Sequence, residues 1–221
     1  MRWWRQARFG VFIHWGTISL MGGEHKGKRA GGSQEWAMVE LKVPIAEYKA
    51  YARRFNPVGY DPEAWVLAAK EAGAKYIVFT AKQHDGFALF DSKVTDWDAV
   101  DATPYGKDPV KPLAAACRKH GIKLGFYYSQ SHDWCHPGGG LLFGEEWDPA
   151  HKGDLDDYLQ RIAVPQVKEL LSHYGEVAVL WWDTPVGMTK ERAARFLRLL
   201  SSQPGIIHNS RLGGGYRGDF E

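Results

Sequence analysis

Apolar positions along the chain come in a recurring order: a stretch with helical spacing, a glycine, then a short unbroken apolar run. The first run, residues 9–15, leads into a Gly-rich stretch at 22–32 that reads as a long loop following a strand and ending in Glu35-Trp36. A helical pattern covers residues 45–55. Asp61-Pro62-Glu63 then sets an N-cap before a proline at the first helical position, opening a helix that closes at Gly73, and residues 75–80 read as a buried strand. The order repeats. Asp108-Pro109 opens a helix ending at Gly121, followed by a β-prone run at 122–129. A long amphipathic helix over 154–174, broken near Pro165 and closed by Gly175, precedes a strand at 177–182. A last helix, 189–202, leads through Pro204-Gly205 into residues 206–209.

Helix, glycine and continuous apolar strand, four times over, imply parallel βα units with both faces of the sheet covered. In such folds the chemistry sits beyond the carboxyl ends of the strands. A doubly wound nucleotide-binding sheet predicts a Gly-rich phosphate turn after the first strand, whereas this chain has His14-Trp15-Gly16-Thr17 there. The expected fold is therefore α/β, a (β/α)8 TIM-like barrel, with residues 1–221 forming one catalytic barrel domain. Five or six strands are too few to close eight, and no helix follows the last one. The expectation is a C-terminally incomplete barrel, its closing βα units and any C-terminal β-domain absent from these residues.

Composition narrows the function. With 44% hydrophobic and 24% charged residues the chain has globular proportions, and a net charge of +2 gives no electrostatic footprint for nucleic acid. Cys117 and Cys135 either pair or stay free, and neither sits in a zinc-like spacing; Cys117 reads as helix core. No apolar stretch reaches the length of about 18 residues that a membrane span requires, and the opening MRWWRQARFG lacks the apolar region of a secretory signal. The chain reads as soluble, with compartment and oligomeric state left open. Ten tryptophans, several beside an acid or a histidine, suit stacking on sugar C–H faces, although core packing accounts for tryptophan equally well.

Asp183 ends the run Val177-Ala178-Val179-Leu180-Trp181-Trp182, which puts a carboxylate at a strand mouth, and period-two alternation puts Trp181 on the same side. It is the candidate nucleophile for retaining glycoside hydrolysis; the plainer alternative is a turn cap before Pro185. His14 and His84 stand at the mouths of two strands, where a neutral imidazole offers one donor and one acceptor to a sugar hydroxyl. No HxH or HExxH spacing supports a metal, and no cofactor is expected. Glu35 either reaches into the pocket from its loop or remains a solvated acid. Arg211, after His208-Asn209-Ser210, either binds a hydroxyl and holds the nucleophile ionised or forms a surface ion pair.

Together these motifs resemble the alpha-L-fucosidases of glycoside hydrolase family 29. The resemblance runs in order through residues 7–16 (ARFGVFIHWG), 75–87, Gly125-Phe126-Tyr127-Tyr128-Ser129 and Leu180-Trp181-Trp182-Asp183. It implies a retaining exo-glycosidase that releases alpha-linked L-fucose from oligosaccharides or glycoconjugates, with Asp183 as nucleophile. It also implies that His14, Glu35, Trp36, His84, Tyr127, Trp181 and Arg211 line the fucose subsite, with adjacent Tyr128 competing for the role of Tyr127. The implied partner is a fucosylated glycan. Two departures stand out: Gln83-His84 replaces a frequent pair of histidines, and the spacing places the acid/base glutamate a few residues beyond Glu221. The competing readings are a non-catalytic carbohydrate-binding remnant and a glycosidase of related fold acting on another sugar.

Overall fold

The computed structural model describes residues 2–142 and 144–221. In chain order the elements begin with helix α1 (Arg2–Ala7), strand β1 (Val11–Ile13), helix α2 (Thr17–Met21) and the strands β2 (Glu24–His25) and β3 (Lys28–Arg29). After a 3-10 turn at Gln34–Trp36 come helices α3 (Ala37–Glu40), α4 (Ile45–Ala52) and α5 (Pro62–Glu71), strand β4 (Tyr76–Lys82), helix α6 (Val110–His120) and strand β5 (Lys123–Tyr128). Helices α7 (Leu155–Tyr158) and α8 (Val164–His173), strand β6 (Val179–Trp182), helix α9 (Lys190–Leu200) and strand β7 (Ile207–His208) complete the series.

Five strands form one parallel sheet in the order β1-β4-β5-β6-β7, each beside its predecessor. Helices lie against one face, where Val66 of α5, Leu113 and Cys117 of α6, Leu170 of α8 and Phe196 of α9 share a core with Phe79, Phe126, Leu180 and Trp182. The other face carries Val78, Tyr127, Val179 and Ile207, packed with Phe12 and Trp181 and with Trp3 and Trp4 from α1. Both faces are covered, as the apolar runs predict, and helices α4 to α9 all share one side, as in a βα barrel. That is a singly wound sheet with no reversal of strand order, so among the described residues the switch-point crevice of a nucleotide fold has no place.

Local chemistry explains most element boundaries. Asp61 caps α5 by accepting from Ala64 N at 2.9 Å, and Asp154 caps α7 by accepting from Asp157 N at 3.0 Å. The Asp108 carboxylate accepts from Val110 N and Lys111 N, so α6 starts after Pro109 rather than at it. The helix expected to break near Pro165 instead continues from α7 to α8 through a π-helical turn at Leu159–Ala163. Proline has no N–H and clashes with the carbonyl four residues back, and one widened turn absorbs both effects. The stretch after β1 holds structure the sequence did not announce: α2 precedes the Gly-rich loop, and the β2–β3 hairpin lies within it. Lys26 and Gly27 join those strands with positive φ at both positions, 49° and 74°, the backbone a two-residue hairpin turn of the primed type requires. Cys117 and Cys135 are both buried and unpaired.

Beneath the carboxyl edge of the sheet lies a buried polar cluster. Lys82 Nζ, fully buried at the end of β4, contacts Asp133 Oδ2 at 2.9 Å and Tyr158 Oη at 2.6 Å, and Asp133 also meets His136 Nδ1 at 3.0 Å. Burial alone would raise the Asp133 carboxyl, yet the Lys82 ammonium and His136 hold it well below the usual carboxylate range. Asp85 is likewise buried and accepts from Thr17 Oγ1 at 2.7 Å and Tyr48 Oη at 2.6 Å. These bonds tie the segment after β4 to α2, to α4 and to the segment after β5, fixing the loops that carry the site.

Candidate active site

Strand alternation decides which side chains meet. Tyr127 and Trp181 are register partners on the face away from the helices, and Phe12 lies 5.1 Å from the Trp181 ring, so Asp183, two residues on, emerges beside that aromatic surface. Tyr128 points the other way and its hydroxyl donates to Gln166 Oε1 at 2.7 Å on the helix side, which resolves the tyrosine pair left open by the sequence.

The Asp183 carboxylate is held from several directions. Tyr127 Oη lies 2.7 Å from Oδ2, Thr184 N donates to Oδ1 at 2.8 Å, and an Arg211 guanidinium nitrogen is paired with Oδ1. Tyr127 has one hydroxyl proton, and the carboxylate is its strongest acceptor; the Gln83 carbonyl oxygen also lies against that hydroxyl. Burial, reinforced by neighbouring Asp183, pushes the Tyr127 hydroxyl well above its ordinary value, so it remains a donor. Gln130 accepts from Asp183 N at 2.9 Å and donates to the Arg211 carbonyl at 2.9 Å, which clamps the two segments together. Thr184 adopts a left-handed φ of 42°, strained for a β-branched residue, immediately after the carboxylate.

Around this centre stand the other residues singled out by sequence. His84 Nε2 is 3.6 Å from Asp183 Oδ2, and burial, with His132 and Lys82 nearby, pushes its imidazole well below the ordinary value. It is therefore neutral, and the short approach to Asp183 is not an ion pair. His14 stacks on Phe12 with ring centroids 4.5 Å apart and lies 5.4 Å from Tyr127. Partial burial lowers His14, while Glu35 and Asp183 pull the other way. Burial would raise Glu35, but hydrogen bonds from its own backbone N–H and from Ser33, together with His14, hold its carboxyl below the ordinary value. Trp36 lies 5.2 Å from His84 and 5.5 Å from both His132 and Trp134, so the tip of the long loop folds back over the strand ends.

All eight residues named from the sequence thus fall in one neighbourhood at the carboxyl ends of β1, β4, β5, β6 and β7. Sequence reasoning did not single out Gln130, Ser129 or Thr184. The strand-end rule marks their segments, but which polar residue turns toward Asp183 depends on a backbone course that periodicity does not give. Among the described residues no group of three His, Cys, Asp or Glu side chains is placed to hold a metal ion. No helix there is long and apolar enough to cross a membrane.

A singly wound parallel α/β sheet whose strand ends gather a buttressed carboxylate, imidazoles, an arginine and aromatic walls defines the class: α/β proteins with a polar, aromatic-lined site at the carboxyl edge of a parallel sheet. The family model described as Alpha-L-fucosidase matches residues 1–221, and the chain belongs to that family. It is 30% identical over 230 residues to an alpha-L-fucosidase of Branchiostoma floridae, covering 96% of this chain and 49% of that protein. It is 37% identical over 195 residues to the tissue alpha-L-fucosidase of Mus musculus, covering 83% and 41%. Its fold matches that of the alpha-L-fucosidase AlfC from Lactobacillus casei in complex with alpha-L-fucose product, with a TM-score of 0.90 and 37% identity over 97% of this chain and 71% of that one. The chain spans about half or less of the length of the curated relatives it matches.

Proposed function

We propose that these residues form the nucleophile-bearing part of a (β/α)8 barrel in a retaining exo-alpha-L-fucosidase acting on fucosylated oligosaccharides or glycoconjugates. The observation that carries this reading is the Asp183 carboxylate, fixed at a strand mouth by Tyr127, Thr184 N and Arg211 beside the wall of Trp181 and Phe12. In retaining hydrolysis such a carboxylate attacks the anomeric carbon, the glycosidic oxygen leaves with a proton from a second carboxyl about 5–5.5 Å away, and water later cleaves the glycosyl ester. Arg211 and Tyr127 hold the Asp183 carboxylate in place and aimed. His14, His84 and Glu35 are placed to bind sugar hydroxyls, with Trp36 and Trp181 packing against apolar faces of the ring. Glu35, held below its ordinary value, suits a hydroxyl acceptor rather than the proton donor.

A binding-only protein has no need of a carboxylate buttressed in this way, which disfavours that alternative. Intact-mass analysis after incubation with 2-deoxy-2-fluoro-fucosyl fluoride, whose leaving group needs little acid assistance, tests the assignment. One fucosyl adduct is expected on the wild type and none on Asp183→Gly. An adduct that persists in the variant, or its absence from the folded wild type, would overturn it.

A further inference from the structure

Ser129 is fully buried at the end of β5, and its hydroxyl has one proton. That proton goes to the His132 carbonyl oxygen, 2.6 Å away, an acceptor that can play no other part. The Ser129 oxygen also lies 2.7 Å from His84 Nδ1. With its proton committed, the serine can only accept there, so Nδ1 carries the hydrogen. In a neutral imidazole Nε2 is then a bare lone pair. Within the protein its only donor is a distant one: Thr184 Oγ1 lies 3.5 Å away but sits closer, at 3.3 Å, to Asp183 Oδ1, and Asp183 Oδ2, at 3.6 Å, is itself an acceptor, so among the described residues Nε2 is left open to a better donor.

The acceptor that orients Ser129 is itself anchored. His132 is fully buried, and its Nε2 meets Glu145 Oε2 at 2.7 Å; the same carboxylate oxygen accepts from Leu142 N at 2.8 Å. Glu145 thus holds His132, the His132 carbonyl orients the Ser129 hydroxyl, and Ser129 sets the proton on His84.

We propose that Ser129 is a positioning residue that fixes His84 as its Nδ1–H tautomer, so that Nε2 is an acceptor selecting a ligand hydroxyl able to donate beside Asp183. Two consequences follow for the fucosidase reading, on which the identity of the ligand rests. A sugar etherified or deoxygenated at that hydroxyl is bound less well. An Nε2–H tautomer, by contrast, would point at Asp183 Oδ2 and draw on the charge the nucleophile needs for attack.

Nitrogen-15 spectra of histidine-labelled protein at neutral pH, with His84 assigned by its loss in His84→Asn, read the tautomer directly. The wild type should show a protonated Nδ1 and a bare Nε2 at His84, and Ser129→Ala should move the population toward Nε2–H. The Ser129→Ala rate of labelling by 2-deoxy-2-fluoro-fucosyl fluoride should also fall about tenfold, the scale of one lost hydrogen bond. A wild-type His84 protonated at Nε2, or a tautomer indifferent to Ser129→Ala, overturns the proposal. If the tautomer is as stated but adding L-fucose leaves the His84 signals unmoved, the role of Ser129 stands and the fucose assignment falls.

Discussion

At the scale of single residues, the site works by leaving few groups a choice of role. Tyr127 must donate because burial and Asp183 keep its proton on, and Arg211 opposes the Asp183 charge from the other side. Removing the Tyr127 hydroxyl deletes a bond to a charged acceptor, worth about 1.5–3 kcal/mol, while the buried ring still packs against Phe12. Tyr127→Phe should therefore slow fucosyl labelling of Asp183 roughly 10- to 100-fold with little change in the thermal midpoint. A rate within twofold of wild type would show that Asp183 does not depend on this donor. Asp183, Trp181 and both histidines were marked out in the sequence because each lies within, ends or closely follows an apolar run. Ser129 and Gln130 were not, because their roles depend on the side chain across the strand mouth.

At the scale of elements, each βα unit is delimited by a cap and a glycine. The Asp61 side chain is the clearest case, since it accepts from Ala64 N on an exposed helix end and touches nothing in the site. Asp61→Ala should lower the unfolding free energy by about 1 kcal/mol in urea titrations and leave the labelling rate unchanged. A loss of activity without loss of stability would mean that α5 does more than cover the sheet. Helix starts at Asp61, Asp154 and Thr189 were readable because a cap is a local hydrogen bond between neighbours in sequence. The uninterrupted helix through Pro165 and the hairpin at Lys26-Gly27 were misread or unannounced. A π turn is chosen by how the helix must pack, and that hairpin lacks the Asn-Gly or Asp-Gly signal that marks such turns in sequence.

At the scale of the molecule, the buried Lys82–Asp133 pair with Tyr158 and His136 joins the loops that follow β4 and β5. Lys82→Met would leave the Asp133 carboxylate buried without its ammonium partner, and should cost about 3–5 kcal/mol in chemical unfolding; Lys82→Met combined with Asp133→Leu should cost less than the single change. A double variant no better than Lys82→Met would show that the pair is not the coupled unit. The same pair sets the acid response. Asp133 is held below its ordinary value in the folded state, so its contribution is complete above the unfolded value of about 4 and is lost as pH falls below it toward the folded value. Urea midpoints measured between roughly pH 5 and pH 2 should fall more steeply for the wild type than for the double variant.

The linear pattern of apolar residues, glycines and caps was enough to set the βα order, the strand that delivers Asp183 and the side on which Trp181 accompanies it. These follow from period-two alternation and from caps that act over three or four residues. Packing alone chose Tyr127 over Tyr128 as the partner of Asp183 and put the Ser129 hydroxyl where it sets the proton on His84. Each of those outcomes depends on which backbone lies opposite across the sheet and on what is buried with it, and a polar side chain chooses its partner only after packing has excluded water and the alternatives.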